Sequence, residues 1–176
     1  MTEYQRITHT FGPVFDEHSQ ILILGSLPSV KSREQQFYYG HPQNRFWRVL
    51  AALCHEQMPG SIQEKRAFLL RNRIALWDVI ESCDIIGSSD SSIRNVKPND
   101  IRIILDKAPI QKIYLNGGKA YTLFQKYCET DCKEQGHHEI KIIKLPSTSP
   151  ANAAWSLERL TEEWGKWIFF VGNGRK

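Results

Sequence analysis

Between Phe37 and Trp47 the chain reads FYYGHPQNRFW: five aromatic rings and a histidine in eleven residues, with Asn44 and Arg45 set between Pro42 and Phe46. Rings stack on flat ligands whatever their edge pattern, and an amide carries both a donor and an acceptor to act on what they hold. Phe46 and Trp47 open an apolar helical face that continues through Leu50 and Leu53, so their place is the core. Tyr39, His41 and Asn44 lie instead in a loop punctuated by Gly40 and Pro42, where functional side chains concentrate. Just upstream, Gly25, Ser26 and Ser29 in GSLPS allow a close backbone approach and offer N–H and hydroxyl donors. Lys31, Arg33, Gln35 and Gln36 follow, and basic and polar residues running into rings suit a nucleic-acid base with its phosphates.

Two further stretches carry chemistry. ESCDIIGSSDSSIRN, Glu81–Asn95, has six small or hydroxylated residues and three acids in fifteen positions. It reads as a long ordered loop, and such loops in compact domains are commonly functional. LPSTSPANA brackets Ser147, Thr148 and Ser149 between two prolines, giving a stiffened loop fit to press on a backbone; it also spells a helix start, with Ser149 as N-cap and Pro150 at the first position. Among the cysteines, Cys128 and Cys132 share a helical face at ligand spacing, with His137 and His138 beyond, but no second Cys-x-x-Cys pair completes a metal site. Neither metal nor cofactor is expected.

These loops need elements to hold them. Ile21–Leu24, Ile74–Val79, Lys112–Leu115 and Ile140–Leu145 are short apolar or β-branched runs, three of them ending in turn residues, and they read as buried strands. Helical patterns alternate with them: Arg45–Cys54, Ser61–Arg71 with a capping-box spelling, Asn99–Lys107, Lys119–Cys132 and Leu157–Ile168. The alternation predicts an α/β fold, a three-layer α/β/α sandwich around a central four-stranded, mostly parallel sheet, as a single domain over residues 1–176. Ligands of such folds sit outside the carboxyl ends of the strands, which is where Gly25–Asn44, Glu81–Asn95 and Pro146–Asn152 emerge.

Composition is consistent with this. The 176 residues are 41% hydrophobic and 24% charged, the balance of a folded globular chain. The longest apolar run, Val49–Cys54, is six residues, far below the roughly 20 that span a bilayer. MTEYQRITHT lacks the basic start and apolar run of an export signal, so a cytoplasmic place is expected, on the nucleoid in a bacterium. The net charge of +4 tilts the chain toward polyanions without a basic tail, so sequence or base recognition has to come from a shaped site. Gly-x-x-x-x-Gly-Lys-Ser/Thr, Gly-x-Gly-x-x-Gly and Gly-x-Ser-x-Gly are all absent, which argues against P-loop, dinucleotide and α/β-hydrolase chemistry.

GSLPS at a strand end, YYGHPQNRFW about fifteen residues later, ALWDV with a following DSSI, and LPSTSPANA late in the chain together resemble the uracil-DNA glycosylase superfamily, and within it the hypoxanthine-DNA glycosylase branch. The resemblance runs from about Gly12 to the C-terminal helix. It implies a monofunctional, monomeric repair enzyme that flips a deaminated base from DNA and hydrolyses its N-glycosidic bond, hypoxanthine first, with uracil or xanthine as lesser substrates. The alternatives it leaves are a mismatch-type uracil/thymine glycosylase and a catalytically inactive nucleic-acid-binding member. Where classical uracil enzymes carry an aspartate in the first motif this chain has Leu27, and where they carry a histidine before the second it has Leu145. The resemblance gives the catalytic role to Asn44, whose carbonyl can orient water and whose NH2 can donate to the leaving base. It implies base contacts from Gly25, Ser26, Leu27, Tyr39, His41, Asp90, Ser91 and Asn95. DNA contacts are expected from Ser29, Lys31, Ser147, Thr148, Ser149, Ala151 and Asn152.

Overall fold

The computed structural model describes residues 3–168. In chain order they form β1 (Gln5–Thr8), β2 (Ile21–Gly25), α1 (Val30–Gln35), α2 (Phe46–Cys54), α3 (Ile62–Arg71), β3 (Ile74–Asp78), β4 (Ile80–Ile85), β5 (Arg94–Pro98), α4 (Arg102–Leu105), β6 (Lys112–Asn116), α5 (Gly118–Tyr127), α6 (Glu129–Glu134), β7 (Lys141–Leu145) and α7 (Leu157–Gly165). The four expected strands are β2, β3, β6 and β7, and they pair in the order β3-β2-β6-β7, every neighbour parallel. All five residues of β3 are buried, as a strand covered on both faces requires.

That order fixes the layers. The crossover from β2 to β3 carries α1, α2 and α3 in one direction along the sheet, and that from β6 to β7 carries α5 and α6 in the other. Right-handed crossovers running opposite ways leave their helices on opposite faces, which makes the expected α/β/α sandwich. Helix α7 packs on α2, burying Leu160 and Trp164 beside Phe46 and Leu50. The direction of winding reverses between β2 and β6, so the crevice at their carboxyl ends is the topological switch point.

The stretch Glu81–Asn95, expected as one long loop, begins and ends in sheet. Strand β4 pairs antiparallel with β1 and β5 to make a second, three-stranded sheet. In β4, IESCDI, the acids are only half-buried while Ile80, Ser82, Cys83 and Ile85 are buried; serines and acids hid an outward-facing strand. Only the segment around the 3-10 turn Asp90–Ser92 remains loop.

Helix ends differ from the sequence reading for local reasons. Lys119–Cys132 divides into α5 and α6 at Cys128, whose φ of −124° leaves the helical region. Asn99–Lys107 contracts to the four residues of α4. Ser61 does cap α3, its hydroxyl accepting from Glu64 N–H at 3.0 Å, while Glu64 reaches one residue further back to Gly60 N–H at 2.8 Å. Ser149 and Pro150 do not start the last helix. Ser156 caps α7, and Ser149 Oγ instead holds a turn by accepting from Ala151 N–H.

Candidate active site

A cleft of about 370 Å³ opens at the switch point, within the range that suits a small ligand. Its walls are the GSLPS segment after β2, Asp78 at the end of β3, the Asn116–Ala120 start of α5, the Ser147–Ala151 loop after β7, and the β4 end with Gly87, Ser88 and Asp90. Tyr38, Tyr39 and Asn44 complete it; the loops after β2, β3, β6 and β7 meet because those strands are parallel and end at one edge.

Asn44 is held rather than free. Its Oδ1 accepts from Phe46 N–H at 2.9 Å and from the Thr148 hydroxyl at 2.9 Å. Thr148 in turn is fixed by Asn116 at the end of β6, which donates from Nδ2 to Thr148 Oγ1 and accepts from Thr148 N–H, both at 3.0 Å. With a donor on each side of Oδ1, the amide's orientation is set by its partners, and the NH2 is the group left to the cleft. Among the described residues none accepts from it. The arrangement therefore presents a fixed double donor, and the acceptor expected to orient a water is already used.

Arg45, next in sequence, ties the first loop to the last. Its guanidinium donates to the carbonyls of Thr148, Ser149, Asn152 and Trp155, and its own N–H donates to Thr148 O at 3.1 Å. A planar fork with several donors is what such a fan of carbonyls requires.

Tyr39 lies in the left-handed region, φ +54°, a backbone cost usually kept where a side chain must be aimed. One face of its ring stacks on Phe46, centroids 3.9 Å apart, and Tyr39 lines the cleft. Its hydroxyl is buried without a hydrogen-bond partner among the described residues. Burial first, and then the charge of Asp78, hold that hydroxyl above the usual tyrosine range; Asn116 opposes this without reaching hydrogen-bond geometry. It stays protonated at neutral pH.

Asp78 is the residue that the sequence reading passed over. It is 3% exposed, and its Oδ2 is bonded to His9 Nε2 at 2.8 Å, both side chains being almost fully buried. Among the described residues its other oxygen, Oδ1, accepts no hydrogen bond, and Asp78 lines the cleft. A Cβ on Gly25 would come within 2.5 Å of Asp78 Oδ1 and 2.9 Å of Tyr39 Oη, so glycine is needed there to let these oxygens converge. The available signal was one acid closing an otherwise apolar strand, IALWD; nothing local points to His9, which is 69 residues away in sequence.

Of the expected site residues, Gly25, Ser26, Leu27, Ser29, Tyr39, Asn44, Asp90, Ser147, Thr148, Ser149 and Ala151 all line the cleft. Asp90 stands exposed at its mouth, where surrounding protein raises its pKa and Lys119 opposes the rise. Five residues lie elsewhere. His41 shapes its own turn, Nδ1 accepting from Gln43 N–H. Lys31 pairs with Glu34 on the surface. Ser91 meets Ser89 in the 3-10 turn. Asn95 donates to Asp84 within the small sheet, carried away because Arg94–Pro98 is strand. Asn152 braces its own loop by donating to Ser147 O. Thr148, expected against DNA, is fully buried with its hydroxyl spent between Asn116 and Asn44. The site residues missed from sequence are His9, Asp78, Asn116 and Lys119, together with Arg45 as their brace.

A doubly wound α/β domain with a cleft roomy enough for a nucleobase, an aromatic wall, two fixed amides and hydroxyl-bearing loops around its mouth fits the class that handles a nucleotide through positioned hydrogen bonds. Among the described residues no group of three or more His, Cys, Asp or Glu comes together as a metal site would need. The chain belongs to the uracil DNA glycosylase superfamily, whose family model matches residues 13–169. It is 39% identical over 158 residues to a hypoxanthine DNA glycosylase of Methanosarcina acetivorans, covering 89% of this chain and 95% of that one. To a hypoxanthine DNA glycosylase of Methanosarcina barkeri it is 42% identical over 110 residues, covering 62% of this chain and 70% of the relative. The solution NMR structure of a Methanosarcina acetivorans protein described as a candidate uracil DNA glycosylase superimposes with a TM-score of 0.74 at 36% identity, covering 89% of this chain and 93% of that one.

Proposed function

We propose that the protein is a monomeric DNA glycosylase that removes hypoxanthine from deoxyinosine. The observation that carries this reading is Asn44: its carbonyl is locked by Phe46 N–H and the Thr148 hydroxyl, so its NH2 faces a cleft roomy enough for a base beside Tyr39. The names and identities of the relatives support the substrate. A base inside a duplex is out of reach, so the nucleotide is flipped into the cleft and stacks on Tyr39.

In the reaction the N9–C1′ bond breaks and its electron pair goes to the base. The sugar passes through an oxocarbenium-like state, and water adds its oxygen to C1′ and gives up a proton, which the departing base takes overall. Negative charge grows on the base as the bond stretches, and a fixed N–H donor at its acceptor edge stabilises that charge without reorganising. Asn44 Nδ2 supplies the donor. Asp78 Oδ1, an acceptor backed by His9, receives the lactam N–H that deamination creates; adenine presents a lone pair there instead. Uracil and xanthine share the lactam, which makes them lesser substrates of the same pocket.

The test is excision from oligonucleotides that each hold one deoxyinosine, deoxyuridine, deoxyxanthosine or G·T pair, read by alkaline strand scission. Release of hypoxanthine with the highest rate supports the reading. Binding of the inosine strand with no release would leave the inactive binding protein, and preferred cleavage at G·T would make it a mismatch enzyme.

A further inference from the structure

The cleft holds a cation that the mechanism above does not use. Arg33 lines it, carried on α1, which is pinned in place: Ser29 caps the helix by accepting from Ser32 N–H, and the buried Ser32 Oγ accepts from Gly40 N–H. Arg33 Nε is shut off from solvent and has no hydrogen-bond partner among the described residues. Among the described residues Arg33 pairs with no carboxylate, although Asp78 and Asp90 line the same cleft. Buried donors left unmade are rare in native proteins and mark positions where something else supplies the acceptor.

We infer that Arg33 is a further catalytic residue, which takes the O6/N7 edge of the flipped purine and carries the negative charge of hypoxanthine as it leaves. The inference rests on the glycosylase reading. A guanidinium fork matches two acceptors on one base edge, as it does for the O6 and N7 of guanine, and hypoxanthine presents the same pair. N1–H, O6 and N7 follow one another around the ring. Asp78 Oδ1 at N1–H and Arg33 at O6/N7 therefore read one continuous edge, which explains why a carboxylate and a guanidinium share a cleft without pairing, Asp78 being held back by His9. Adenine would turn its amino group toward the guanidinium. The charge matters more in the transition state than in the bound substrate, because the electron pair of the N9–C1′ bond delocalises toward N7 and O6.

The direct test compares wild type, Arg33→Gln and Arg33→Lys in single-turnover excision of deoxyinosine, in calorimetric binding of free hypoxanthine and 7-deazahypoxanthine, and in affinity for abasic-analogue DNA across salt. Arg33→Gln is expected to slow excision by about 10- to 100-fold, the size of a lost charged hydrogen bond, and to weaken hypoxanthine binding about tenfold or more. 7-Deazahypoxanthine, lacking the N7 acceptor, should bind wild type more weakly than hypoxanthine does and be less affected by the substitution. Arg33→Lys keeps the charge without the fork and should fall between the two; if Arg33→Gln does not fold, this variant carries the comparison. Unchanged excision and base binding, or a uniform loss of DNA affinity with a salt slope shallower by about one, would overturn the inference and make Arg33 a bystander or a phosphate contact. Failure of the glycosylase reading is separate: wild type would release no hypoxanthine from DNA, while the free-base titrations still decide whether Arg33 binds the purine.

Discussion

Gly25 shows how much of the site depends on single atoms. Its missing Cβ is the space that Asp78 Oδ1 and Tyr39 Oη share. Because Asp78 is tethered to His9 at 2.8 Å, the carboxylate cannot step aside. Gly25→Ala should therefore destabilise the fold by about 1–3 kcal/mol, the usual cost of overpacking, and cut excision of hypoxanthine at least tenfold. A denaturant melt and a single-turnover assay read the two effects, and an alanine variant of wild-type activity would show that the oxygens are not where the base goes. At this scale the sequence was informative wherever composition was odd: Asn44 and Tyr39 stood out in a Gly/Pro-broken aromatic loop. It was silent where partners are distant. His9, Asp78 and Asn116 each look like ordinary residues at the edge of an ordinary strand, and only the meeting of strand ends from both sheets brings them to Tyr39 and Thr148.

Between elements, the last loop is positioned less by its prolines than by Arg45. The stiffness expected of LPSTSPANA comes largely from a guanidinium at the start of α2 that binds three of its carbonyls and that of Trp155 just beyond. Removing it leaves those carbonyls unpaired and frees Thr148, hence Asn44. Arg45→Ala should cost about 3 kcal/mol or more, since hydrogen bonds to charged groups contribute roughly 1.5–3 kcal/mol each and do not add fully, with a Tm lower by about 6–12 °C. Arg45→Lys should recover little, because an ammonium lacks the fork; full rescue by lysine in a thermal melt would refute the clamp. The major sheet was legible because a doubly covered parallel strand is a nearly continuous apolar run. The small antiparallel sheet was not, because β4 and β5 mix serines and charges with a broken alternation, and their register is irregular.

For the whole molecule, fold class follows from alternation of strand and helix, and the cleft's place follows from the reversal of winding between β2 and β6. All four thiols are buried and unpaired, and burial foremost pushes Cys54 and Cys128 up to about 12 and Cys132 up to about 11, leaving these three protonated and inert. The +4 charge draws DNA without choosing a base; the choice belongs to the cleft. Leu27 and Leu145 offer neither acid nor base, and the proposed mechanism gives the work to a fixed amide donor, Asn44. The measurement that tests this most directly is single-turnover release of hypoxanthine by wild type and by Asn44→Asp. Aspartate at position 44 can still accept from Phe46 N–H and Thr148, so the loop is kept while the NH2 is removed. The account predicts a folded variant with excision reduced about 100-fold or more, on the scale of losing a key transition-state donor. Excision at the wild-type rate by Asn44→Asp would contradict it.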